Sequence, residues 1–221
     1  MDFEVKGKTC LVTGASRGIG RACAIILGKE GCSVAVNYVQ REKEAEETCR
    51  LIEEAGGRAI PIRADVSRSE QVEALVGEAS EKLGSISVLV NNAGIAPMRP
   101  PEELTEAIWD ETLMVNLKSA FLMTQAVLPG MRRAGWGRIV NISSNAAFTG
   151  GRVGPHYSAS KAGMNGMTHS YASFYAKEGI TVNSVAPASI ATDMIANDLK
   201  IKEPYTPVPR FGHVDEVAET V

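Results

Sequence analysis

A chain of 221 residues is long enough to bury one sizeable core and too short for two ordinary domains. With 44% apolar and 22% charged residues, a net charge of -3 and its 23 basic residues scattered along the chain, it is not of the disordered, fibrous or nucleic-acid-binding classes. No apolar run approaches the length that spans a bilayer, and Met1 through Lys8 lacks the basic-then-apolar order of a signal peptide, so a cytoplasmic protein without membrane association is expected.

In chain order, apolar runs of strand length near 9–13, 33–37, 59–63, 88–91, 138–142 and 181–185 alternate with helical patterns near 18–30, 42–55, 69–83, 105–133 and 157–177. A further helix opens near Val214. The alternation predicts one α/β domain spanning 1–221, a doubly wound parallel sheet with helices on both faces. Cys10, Cys23, Cys32 and Cys49 have neither metal-ligand spacing nor a C-x-x-C pair, which predicts buried free thiols.

After the first apolar run, Thr13-Gly14-Ala15-Ser16-Arg17-Gly18-Ile19-Gly20 opens a helix. Glycines there let the backbone turn tightly, admit a pyrophosphate without an intervening Cβ, and leave the anion on the helix's unpaired amides, so the fold expected is of the Rossmann type. The same residues also spell G-x-S-x-G, with Ser16 where a serine hydrolase would carry its nucleophile. Against that reading, the turn follows the first strand, whereas a nucleophile elbow lies after several, and no acid-then-histidine order accompanies it. At the end of the second strand a carboxylate would select NAD; Asn37 and Tyr38 stand there instead, the first acid is Glu42, and Arg17 and Arg41 are placed to face the 2′-phosphate of NADP.

Tyr157 and Lys161 are four apart at a helix start, on one face and a turn apart. A fixed cation beside a phenol favours phenolate and lowers its pKa from about 10. Taken together, Thr13-Gly14-x-x-x-Gly18-x-Gly20, Asp65-Val66, Asn91-Asn92-Ala93-Gly94, Asn116, Ile142-Ser143-Ser144, Tyr157-x-x-x-Lys161 and Pro187 through Thr192 resemble, in order and over essentially the whole chain, the short-chain dehydrogenase/reductase family. Within it the chain most resembles the bacterial 3-oxoacyl-acyl-carrier-protein reductase branch.

The resemblance implies NADPH-dependent reduction of a ketone or 3-oxoacyl thioester, with other small carbonyls or alcohols such as sugars, steroids or diketones as alternatives. It implies Tyr157 as general acid, Lys161 lowering its pKa and holding the nicotinamide ribose, Ser144 polarising the substrate, and Ser143 serving the backbone. Asn116 would hold a water that links Lys161 to solvent. Asp65 and Val66 would contact adenine, Asn92, Ala93 and Gly94 would wall its ribose, and Pro187, Ile190 and Thr192 would meet the carboxamide end. Two departures stand out. Ala188 follows Pro187 where the family usually has glycine, and Glu178 occupies the position of a basic residue that meets acyl carrier protein, with Arg132 and Arg133 nearby to compensate. The resemblance also implies a further C-terminal strand beyond Val221.

Gly163 and Gly166 each cost a helix interior about 1 kcal/mol relative to alanine, which predicts close approach of another helix. The family places a neighbouring subunit there, so a homo-oligomer, dimer or tetramer, is expected. His156 has two readings, exposed at the helix start or touching substrate; His169, Met164, Met167, Phe174, Tyr175, Trp109 and Trp136 read as structural.

Overall fold

Strand β1 (Thr9–Val12) is buried at every position, as a strand covered on both faces must be. Its side chains still divide by parity: Cys10 and Val12 join one apolar cluster and Leu11 the other, because successive Cβ atoms point to opposite faces. The computed structural model describes residues 4–198, 203–204 and 207–221. It pairs β1 in parallel with β2 (Ser33–Tyr38) and β4 (Ile86–Asn91). Strands β3 (Arg58–Arg63), β5 (Gly137–Ile142) and β6 (Ile180–Val185) complete one parallel sheet in the order β3-β2-β1-β4-β5-β6. This is the doubly wound α/β arrangement that the alternation predicts.

Helices α1 (Gly18–Lys29) and α2 (Glu42–Glu54) cover one face through Cys23, Leu27, Cys49 and Ile52, with α8 (Val214–Ala218) packed against α1. On the other face α3 (Ser69–Leu83) contributes Val72 and Leu75, and α5 (Ser119–Ala134) contributes Met123 and Val127. Tyr171, Ala172 and Tyr175 of α7 (Pro155–Tyr175) pack against the same cluster. All four cysteines are buried thiols. Trp136 lies between the cations of Lys8 and Arg138, 4.5 and 4.2 Å from its ring. No helix among the described residues is long and apolar enough to cross a membrane.

The single helix predicted over 105–133 is corrected. It is α4 (Glu106–Leu113), a π turn at Met114–Lys118, and then α5. A π turn inserts one residue without needing glycine or proline, so no breaker marks it in the sequence. Leu117 of this turn also explains Gly163: a Cβ there would lie 2.8 Å from a Leu117 methyl, so the close approach is made within the chain. At Gly166 a Cβ would meet open space.

The order of strands reverses between β1 and β4, and ligands in such sheets bind in the crevice outside the carboxyl ends at that switch point. The segments after β1, β4, β5 and β6 all converge there.

Candidate active site

The turn after β1 is shaped by its neighbours. Asn92 donates from its side chain to the carbonyls of Thr13 and Gly14 at 2.9 and 3.1 Å, while the Thr13 hydroxyl accepts from the amides of Asn92 and Ala93. This clamp leaves no room for larger residues: a Cβ on Gly20 would lie 2.4 Å from the Asn92 amide nitrogen and 2.5 Å from the Gly14 carbonyl, and Gly14 itself has a φ of +61°. The helix that follows starts at Gly18 with no side-chain cap, so its first-turn amides face the crevice without an intrahelical acceptor. Such a cradle fits a pyrophosphate.

Asn37 and Tyr38, expected to select the cofactor, are both buried. Buried Asn37 accepts from the Gly14 amide at 3.3 Å and donates to the Ala64 carbonyl at 3.0 Å; the Tyr38 hydroxyl donates to Glu42 at 2.9 Å. Arg17 points to Asp193 at 2.9 Å, and Arg41 pairs with Glu44 at 3.3 Å. Asp65 accepts from the amide and hydroxyl of Ser67, which with Arg68 outweigh the upward pull of partial burial and hold its carboxyl low. It borders a second depression that also reaches Val115 and Lys118. Buried Ser16 has no histidine among its hydrogen-bond partners.

Catalytic candidates surround a cavity of about 190 Å³ lined by Asn92, Gly94, Ser144, Tyr157, Lys161 and Thr192, with Pro187 and Ile190 on its wall. Lys161 reaches it from α7 with its ammonium 2.8 Å from the Ile142 carbonyl and 5.8 Å from the Tyr157 ring centroid. Complete burial lowers its pKa to about 8. The expected lowering of Tyr157 by Lys161 is reversed: burial raises the phenol's pKa, and what opposes it is a hydrogen bond from Ser144. Ser144 also accepts from the Ala146 amide at 3.1 Å, at the start of α6 (Ala146–Thr149). Ser143 donates to the Lys161 carbonyl at 3.1 Å, the backbone role expected of it.

Asn116 sits in the π turn, fully buried, and its side chain is committed. It accepts from the Ile95 amide at 2.8 Å and donates to the Ile95 carbonyl at 2.9 Å and Ser160 at 3.1 Å. It braces the loop after β4 against α7. His156 is not exposed at the helix start: it is fully buried, with Nε2 2.8 Å from the Pro97 carbonyl. Sequence reasoning missed the polar ladder beneath the site. Asn91 donates to Asn141 at 2.9 Å across β4 and β5, and Asn141 donates to Thr168 of α7 at 2.9 Å. Asn141 inside an apolar strand is the signal, since a buried amide needs partners. Arg132, expected to compensate for Glu178, is instead paired with it at 2.7 Å.

The short chain dehydrogenase family matches residues 8–202. The chain belongs to the short-chain dehydrogenase/reductase family. It is 41% identical over 219 residues to the 3-oxoacyl-[acyl-carrier-protein] reductase FabG of Staphylococcus aureus, covering 97% of this chain and 89% of that protein. To the 3-oxoacyl-[acyl-carrier-protein] reductase of Synechocystis sp. it is 41% identical over 217 residues, with 97% and 87% covered. A dehydrogenase/reductase from Sinorhizobium meliloti, 37% identical, superposes with a TM-score of 0.89 over 97% of this chain and 86% of that one. Short-chain dehydrogenase/reductases use nicotinamide cofactors, and this chain is an oxidoreductase of that family.

Proposed function

We propose that this chain reduces a ketone or a 3-oxoacyl thioester to the hydroxy compound with NADPH, and that Tyr157 is the general acid. The observation that carries this reading is the convergence of Ser144, Tyr157 and Lys161 on one cavity at the switch point, beside the glycine cradle. A dinucleotide held by its pyrophosphate in that cradle would supply the hydride from its nicotinamide. The chain's own groups do the rest. A phenol whose pKa is raised by burial stays protonated at neutral pH and is ready to donate. The single Ser144 proton, directed at the phenol oxygen in the free protein, would turn to the carbonyl oxygen that receives the Tyr157 proton. Lys161, fixed by the Ile142 carbonyl, puts a positive field under the site and would hold the ribose hydroxyls. Gly14, Gly18, Ile19 and Gly20 would line the phosphates, Arg17 would hold the 2′-phosphate, and Asp65, Val66 and the Asn92–Gly94 backbone would border the adenosine half.

Among the remaining walls Ala146, Val153, Met194 and Ile195 are apolar and suit an acyl or other hydrocarbon substituent, beside the polar Asn145, Thr149, Arg152 and Ser189. FabG relatives favour a 3-oxoacyl thioester. The Glu178–Arg132 pair takes up one of the two cations, Arg132 and Arg133, that would meet an acidic carrier, which favours a small-molecule thioester over one carried on acyl carrier protein. Consumption of NADPH across a panel of 3-oxoacyl thioesters, sugars, steroids and small diketones tests the reading; absence of turnover with every carbonyl in the panel would refute it.

A further inference from the structure

Asp193 lies between two parts of the site that the sequence keeps far apart. On one side it holds Arg17, at the mouth of the glycine cradle, with Nη1 and Oδ2 2.9 Å apart. On the other it is followed by Met194 and Ile195, which pack with Tyr157, Ala96 and Val153 over the substrate cavity. Thr192 closes the same seam: a Cβ on Gly18 would lie 3.6 Å from its methyl. The hydrogen bond from Arg17 lowers the Asp193 carboxyl, with Arg41 and Arg21 adding to the field, so the carboxylate stands among the cations a phosphate would seek. The two side chains of the pair remain 36% and 50% exposed, and so exposed a pair is weak and readily exchanged.

We propose that Asp193 is a specificity-determining residue, a counter-ion that the 2′-phosphate of NADP(H) displaces from Arg17, so that the phosphorylated cofactor alone releases the segment that walls the substrate cavity. This rests on the reading above that Arg17 receives the 2′-phosphate. A phosphate brings more charge and more acceptor oxygens than a carboxylate, and the guanidinium binds it in two-point geometry. Once the phosphate is seated, Asp193 faces a like charge and moves away, carrying Met194 and Ile195. An unphosphorylated cofactor has nothing to exchange and leaves the pair closed. Asp193 thereby makes NADP(H) binding weaker than Arg17 alone would allow, and couples it to the opening of the apolar wall.

Fluorescence titrations of NADPH and NADH with wild type, Asp193→Asn, Arg17→Gln and the double variant test this, together with hydrogen exchange of the 191–196 peptide. Asp193→Asn is expected to tighten NADPH about two- to fivefold, the worth of an exposed ion pair, and to leave NADH unchanged. It should do nothing in the Arg17→Gln background, and NADP⁺ but not NAD⁺ should speed exchange in the peptide. Unchanged or weaker NADPH binding by Asp193→Asn, while Arg17→Gln still abolishes NADPH preference, overturns the role of Asp193 and leaves the cofactor reading intact. A wild type that binds both cofactors equally, or an Arg17→Gln variant that keeps its preference, removes the cofactor reading and this inference with it.

Discussion

The Lys161 ammonium donates to the Ile142 carbonyl at 2.8 Å, so the last peptide of a sheet strand fixes the cation beneath Tyr157. The cation is thereby held at the end of the sheet, where it lines one cavity with Tyr157.

Tyr157→Phe keeps the ring and removes the proton. Cofactor affinity should persist, measured by NADPH fluorescence, while kcat for carbonyl reduction falls by about 10² to 10⁴. Near-normal turnover would mean that another group delivers the proton.

The Ser144 hydroxyl is the interaction that pulls the Tyr157 pKa down against burial. In cofactor-free protein the phenol should therefore titrate above about 10, the free tyrosine value, by ultraviolet difference spectra against Tyr157→Phe. Ser144→Ala should move that midpoint higher still. In the alcohol-oxidising direction, where phenolate is the active form, the rising limb of the pH profile should shift the same way. A downward shift would contradict the role given to Ser144.

Lys161 titrates in the fold near 8 against an ordinary 10.5, so the folded state disfavours its protonation. Below pH 8 the ammonium is charged in both states and the penalty is full, about 3 kcal/mol; between 8 and 10.5 it fades, and wild type gains stability as pH rises through that window. Lys161→Met removes the penalty and gives up the bond to Ile142, for a net gain of about 1–2 kcal/mol at pH 6. Urea midpoints at pH 6, 8 and 10 should show the advantage shrinking; a variant less stable than wild type at pH 6 would refute the burial argument.

Asn37→Asp would, at a cofactor-facing position, turn preference toward NADH. At the buried position seen here it keeps the acceptor for Gly14 but loses the donors to Ile62 and Ala64, setting a carboxylate against two carbonyls. A loss of about 2–4 kcal/mol in stability is expected, read from thermal or urea unfolding. A well-folded variant with switched cofactor preference would show that residue 37 does face the cofactor.

Periodicity made the six strands and their faces legible, because burial on both sides of a parallel sheet writes itself as apolar runs such as Cys10-Leu11-Val12. The glycine turn and the Tyr157–Lys161 face were legible for the same local reason. What stayed hidden depends on partners distant in the chain. Arg17 and Asp193 are 176 positions apart, and nothing local says that they meet. The inward turn of Asn37 depends on the Gly14 amide 23 positions away, and the burial of His156 on the Pro97 carbonyl 59 positions away. For Tyr157, spacing reveals a neighbouring cation but not the loss of water around the phenol, which raises its pKa.

Between α4 and α5 the chain spends one residue more than a regular helix requires. Each helical residue advances the side chains by about 100°, so everything after Lys118 is out of phase with the helix before it by more than a quarter of a revolution. Deleting one residue between Met114 and Lys118 would heal the hydrogen-bond ladder into an uninterrupted rod. It would also rotate Met123 and Val127 away from the sheet they cover, and unhook Asn116 from Ile95. Local regularity and global fit are opposed at this one turn: the repaired chain would be the better helix and the poorer enzyme.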